Sequence, residues 1–239
     1  MKRASLVSVR PTITGYLTSE ALMEKNMSNK TVTIISFSLI AIAFLVGFAL
    51  YAQLPDPMPA HWNAAGQIDG YMSKFWGIFL MPIITIPLVG LFLIIPNIDP
   101  LKANIAKFRG AFNWFTVLFV AYMLFVYALT LAAALGIQFN MTVMLLPVVG
   151  LLFIGVGYMM SKAKRNFFIG IRTPWTLSSE TVWDETHKLG SKLFMLGGAV
   201  TIVSAFLGEN GIWLMMIAML SAAFVPIIYS YILWKRENP

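Results

Sequence analysis

The sequence predicts an all-α fold, a polytopic membrane protein with six transmembrane helices and both termini cytoplasmic. Three observations predict it. Hydrophobic residues make up 59% of the chain and charged residues only 11%, against about 25% charged in soluble domains. Several runs approach or exceed twenty residues without a charge, the length that crosses about 30 Å of hydrocarbon as a helix. Sixteen of the 17 lysines and arginines fall in alternate connectors, the signature of the positive-inside rule.

Residues 1–30 are polar and carry Lys2, Arg3, Arg10, Lys25 and Lys30. No short apolar core with a small-residue cleavage site follows them, so the stretch reads as a flexible cytoplasmic tail and not a signal peptide. Met23 and Met27 also read as starts. The first span covers about Val32–Tyr51. The connector 54–74, LPDPMPAHWNAAGQIDGYMSK, has Pro55, Pro57 and Pro59 within five residues, which forbids a helix. Its pairs Ala65-Gly66 and Asp69-Gly70 read as turns.

The second span, about Phe75–Ile95, contains Pro82 and Pro87, which free backbone carbonyls and allow a bend. A short basic loop, 96–110, leads to the third span, about Ala111–Leu135. After a neutral turn comes the fourth, about Thr142–Met160, whose Gly150, Gly155 and Gly157 permit close helix contact in lipid. The fifth and sixth spans, about Leu189–Leu207 and Ile212–Trp234, are joined by a tight turn at Gly208-Glu209-Asn210-Gly211. The chain thus divides into the tail 1–30, a first membrane module 31–110 with an extracellular loop, and a second module 111–239 with a cytoplasmic segment.

The absence of cysteine removes disulfides, thiolate zinc sites and thiol nucleophiles. The net charge of +7 is accounted for by topology, so no direct nucleic-acid partner is expected; no cofactor is expected either. The partner that composition requires is the lipid bilayer. The spans hold almost no ionisable side chain, whereas ion-coupled transporters usually keep one in mid-membrane.

Between the fourth and fifth spans lies the polar segment Ser161 to Lys192, with six of the 17 cations and three of the ten acids. Pro174 biases Thr173 away from helix. Thr176 or Ser178 is placed to cap a helix starting near Ser179. Val182, Thr186, Leu189 and Leu193 form an apolar stripe at helical spacing. The opposite face carries Glu180, Asp184, His187 and Ser191. Glu180, Asp184 and His187 form the grouping that looks most chemical, with metal-binding or acid–base potential; a solvated, charged helix face explains the same residues. Arg172 is placed to clamp Glu180 or Asp184, or to bind a phosphate or a partner's carboxylate. Trp175 and Trp183 suit a membrane interface. On the other side of the membrane, His61, Trp62, Asn63, Gly66, Asp69 and Tyr71 suit either a ligand-facing cap or a loop whose Asn and Asp bond their own backbone. Asn-X-Ser/Thr triplets begin at Asn26, Asn29 and Asn140.

These two connectors also carry a resemblance. LPDPMPAHWNAAGQIDGYMSK is similar to the N-terminal module of the SdpI family, and NFFIGIRTPWTLSSETVWDETHKLG to that family's second signature. The likeness reaches over most of residues 35–230. It carries over Pro59, His61, Trp62, Asn63, Gly66, Asp69 and Gly70 outside. Inside, it carries over Gly170, Arg172, Thr173, Pro174, Trp175, Trp183, Thr186 and His187. It assigns none of them a catalytic role. It implies a bacterial immunity protein that protects against a secreted peptide toxin, with a further expectation of sensing that toxin and holding a cytosolic transcriptional repressor at the membrane. Two other functions fit the residues: an exporter of a small apolar compound or lipid, and a membrane-embedded metal-dependent enzyme built on Glu180, Asp184 and His187.

Overall fold

Ser28 accepts a hydrogen bond from the Thr31 N–H and so starts helix α1, Asn29–Leu50. The computed structural model describes residues 27–208 and 210–238. The expected tail therefore lies almost wholly outside the described residues, as do Met23 and Glu209 of the last turn. Five more long helices follow: α2 (Lys74–Ile98), α4 (Arg109–Ala134), α5 (Met141–Lys162), α7 (Glu180–Ser204, extended by a 3-10 turn to Leu207) and α8 (Asn210–Glu237). Two short helices, α3 (Lys102–Ala106) and α6 (Pro174–Ser178), lie in the connectors. Six of the helices are long and apolar enough to cross a membrane. The chain is a multi-pass membrane protein.

The connector after α1 is more ordered than the sequence suggests. Met58–Trp62 (β1) and Ile68–Met72 (β2) pair as an antiparallel hairpin. The turn at Ala65-Gly66 is present, with Gly66 at φ 77°, a left-handed value that favours glycine. The turn expected at Asp69-Gly70 is not: both residues are in β2, and Gly70 lies opposite His61. A Cβ at Gly70 would sit 2.9 Å from the His61 Cβ, so here glycine serves a close strand contact. Pro59 is tolerated because a two-stranded hairpin has only edge strands.

Helices α1, α2 and α4 pack together, and α5, α7 and α8 form a second group, with α4 against α5 joining them. The α5–α7 contact is the closest. A Cβ built on Gly150 would sit 2.5 Å from the Gly198 carbonyl oxygen, and the reverse holds for Gly198. Gly157 meets the Ser191 carbonyl in the same way. In lipid, where apolar faces gain nothing by hiding from water, such backbone-to-backbone packing holds helices together. Gly155, by contrast, faces Leu118 of α4.

Hydrogen bonds place the connectors at two ends. At one end Arg109 bonds Asn29, Asp99 bonds the backbone of Phe167, and Ser179 bonds Glu237. Asn29, the 99–109 loop, the 163–179 segment and the end of α8 therefore share one end of the bundle. At the other end Asn140 donates to the Ala65 carbonyl and Thr142 to that of Ala64, seating the hairpin turn on the start of α5.

Candidate functional site

Residues 163–179 fold into a tight knot against α7. Asn166 is fully buried. Its Oδ1 accepts from the N–H groups of Phe168 and Ile169, and its Nδ2 donates to the carbonyls of Lys164 and Ile169. Asp99, also buried, accepts from the N–H of Leu101 at 2.6 Å and of Phe167 at 2.8 Å. Asn104 donates to the Arg165 carbonyl. Away from water these loop peptides need partners, and the three side chains supply them.

His187 holds the second half of the knot. Its Nε2 accepts the Ile171 N–H at 3.0 Å, and Nδ1 lies 2.9 Å from the Trp183 carbonyl. This pairing assigns a neutral imidazole with its proton on Nδ1. The ring stacks on Trp183 at 4.0 Å between centroids, and Trp183 Nε1 donates to the Ala163 carbonyl. Gly170 crosses over the imidazole with φ 108°; a Cβ there would run into Nε2. Thr173 caps α6 in a capping box with Thr176, and its hydroxyl lies 3.0 Å from that of Ser230 on α8. Thr176 also donates to the Ile171 carbonyl.

At the opposite end the hairpin roofs a cleft of about 330 Å³ between α2, α4 and α5. Trp62, Met72, Trp76, Leu80, Met81 and Leu145 give it a largely apolar lining, with His61 and Thr130 as polar points. Met58 is fully buried against Gly77, and Asp56 accepts from the Lys74 N–H at the start of α2. These contacts fix the roof to α2. At the rim of the cleft, His61 Nδ1 and Asp69 Oδ1 lie 2.6 Å apart, both open to solvent, and Tyr71 is exposed. Asn63 Oδ1 accepts from the Gln67 N–H within the turn.

Comparison with known proteins matches both ends. The family model described as the SdpI/YfhL protein family matches residues 162–230, and a domain of unknown function (DUF1648) matches residues 38–86. Immunity protein SdpI of Bacillus subtilis (strain 168) is 29% identical over 206 residues, covering 86% of this chain and 97% of that protein. The chain is similar to the SdpI family. No solved structure matches it.

Several expectations need correction. His187 and Ser191 do not share a solvated face with Glu180 and Asp184; both are buried. Glu180 pairs with Arg165 and Asp184 with Lys164, each at 3.3 Å. The three candidate metal ligands are thus committed to three different partners. Among the described residues no group of His, Asp and Glu is arranged to hold a metal. Arg172 clamps neither acid. It donates to the Phe167 carbonyl at 2.8 Å and is otherwise exposed. Trp183 is not an interface anchor but fully buried, whereas Trp175 is half-buried beside Tyr231. Ser179 is the cap of α7, not Thr176 or Ser178.

Asp99, Asn104 and Asn166 escape a reading of the sequence. Their only signal is polarity beside a span, which water-facing residues share. Asn29 and Asn140 occur in sequon triplets, yet both serve packing. Asn29 accepts from Arg109 and Asn113, and Asn140 caps α5.

Proposed function

We propose that this protein is an immunity protein that protects its cell from a secreted peptide toxin, engaging an apolar toxin side chain in the cleft beneath the hairpin. The similarity to Immunity protein SdpI over nearly that protein's whole length supports the role. The observation that carries the mechanism is the cleft itself. It is largely apolar, flanked by two tryptophans, and closed above by a hairpin bonded to both α2 and α5. An apolar side chain entering it leaves water for a wall that is mostly apolar, which favours a hydrophobic peptide over a polar solute.

The second part of the proposal is signalling. With the basic end in the cytoplasm, α2 runs from Gly77 under the hairpin to Ile98, beside Asp99 at the knot, and α5 runs from Asn140 to the glycine contacts with α7. Pro82 and Pro87 leave α2 short of backbone bonds midway, where a bend is cheapest. Both helices connect the cleft to residues 163–179. There Arg172, Phe167 and Phe168 form the exposed part of the knot, the surface on which a cytosolic repressor would dock.

The test is survival of cells challenged with the toxin. Thr130→Leu, which fills the cleft, and Trp62→Ala, which strips its wall, should lose protection while the protein stays in the membrane at normal level. Arg172→Ala should keep protection and lose any toxin-dependent change in a repressor-controlled reporter. Full protection by both cleft variants would remove the cleft from the mechanism.

A further inference from the structure

A second cleft, of about 440 Å³, opens at the basic end between the foot of α5 and the first half of α7. Its wall on α7 is set by helical spacing. Asp184, Lys188, Lys192 and Met195 recur at intervals of four, four and three residues, one above another. With about 1.5 Å of rise per residue, this ladder descends from the surface of the bundle toward the hydrocarbon. Lys164 joins it from the connector, and Met160 of α5 also lines it. Charge lies at the top and thioethers at the bottom.

The charges do not cancel. Lys164 is paired with Asp184, and Lys188 meets Glu185 at 3.5 Å. Lys192 has no ion-pair partner among the described residues. The three ammonium groups are thus set against two carboxylates, and the charge of Lys192 is left over. The neutral polar groups nearby are already used. Both nitrogens of His187 bond backbone, and the Ser191 hydroxyl donates to the Lys188 carbonyl. What remains for a ligand is exposed positive charge above an apolar floor. Lysine ammoniums bind phosphate as point charges and impose little shape of their own.

We propose that this cleft binds an anionic phospholipid, its headgroup phosphate between Lys188, Lys192 and Lys164 and its upper acyl chain against Met160 and Met195. A soluble phosphate would use the lysines and leave the apolar floor empty. A zwitterionic lipid would fit the floor and carry no net charge to the lysines. The site is independent of the toxin cleft, which lies at the other end of the bundle.

The full chain, purified in mild detergent, is to be titrated with dioleoyl phosphatidylglycerol, with dioleoyl phosphatidylcholine and with inorganic phosphate. Native mass spectrometry reads retained lipid and tryptophan fluorescence reads thermal unfolding. Phosphatidylglycerol should be retained and should raise the unfolding temperature, while the other two should do neither. Lys188→Gln with Lys192→Gln should weaken retention by about fivefold for each lysine removed. Lys188→Arg with Lys192→Arg should preserve it. Lys235→Gln with Arg236→Gln, an equal loss of charge at the far end of α8, should leave it unchanged. Equal retention of phosphatidylcholine would overturn the proposal. So would a shift reproduced by phosphate alone, or by equal loss in the Lys235/Arg236 control. Should the glutamine pair fail to fold, Lys192→Gln alone decides: unchanged retention counts against the site.

Discussion

At the scale of single residues, the knot depends on places where only one side chain fits. Gly170 combines a left-handed backbone with the imidazole of His187 directly over its α-carbon. Gly170→Ala should therefore lose about 1–3 kcal/mol from backbone strain, and more if the ring is displaced from the Ile171 N–H. Gly90 is the control. It lies in the middle of α2 with open space around it, and Gly90→Ala should be neutral or mildly stabilising, since alanine is the better helix former. Thermal unfolding in detergent separates the two, and equal shifts would remove the steric account. Asn166 presents a different constraint. Its amide donates to two carbonyls while its oxygen accepts from two N–H groups. Asn166→Asp keeps the acceptor and turns an oxygen toward the carbonyls, so it should destabilise at least as much as Asn166→Ala. The usual cost of a buried unpaired group is about 1–3 kcal/mol. If Asp were tolerated, the bonding assigned to Asn166 would be wrong.

At the scale of elements, the α5–α7 contact decides how the second helix group holds together. Gly150 and Gly198 bring two backbones together with no room for a methyl group. Gly198→Ala must push α7 away from α5 or strain both, at about 1–3 kcal/mol. Gly155→Ala meets only the flexible end of Leu118 and should cost less. A larger loss at Gly155 than at Gly198 would show that the helices hold together some other way. Helix α7 also shows where a hydrophobic pattern misleads. Its periodicity puts Val182, Thr186, Leu189 and Leu193 inside. Val182 and Thr186 are buried, but the buried face turns toward Trp183, His187, Gly190 and Ser191, while Leu189 and Leu193 are only half-covered. In water an apolar stripe marks the core. At the edge of a bilayer the leucines have lipid as an equally good neighbour, and the inward positions go to residues that bond or admit the folded-back segment.

At the scale of the molecule, the two ends differ in kind. The basic end is a polar knot tied to three long helices, and the hairpin end is a largely apolar cleft under a roof. The chain has no native cysteine, so single cysteines report on topology without background. His61→Cys should react with a membrane-impermeant maleimide in intact cells, and Arg172→Cys only after permeabilisation. Labelling of both in intact cells would place the ends in one compartment and sink the proposed route from toxin to repressor.

The sequence by itself determined the six spans, the alternation of basic connectors and the two segments worth attention. Each follows from quantities that are local along the chain: hydropathy over about twenty residues, charge per connector, proline where a helix cannot form. Only the tertiary structure decided what Glu180, Asp184, His187 and Arg172 do, because a side chain's role depends on which distant backbone lies beside it. His187 looks like a ligand on a helical wheel, yet it is a fastener once Ile171 folds back onto it. Asp99 looks like an unremarkable loop acid until Phe167, 68 residues later, donates to it. Hydrogen bonds of that span leave no periodic trace in the chain.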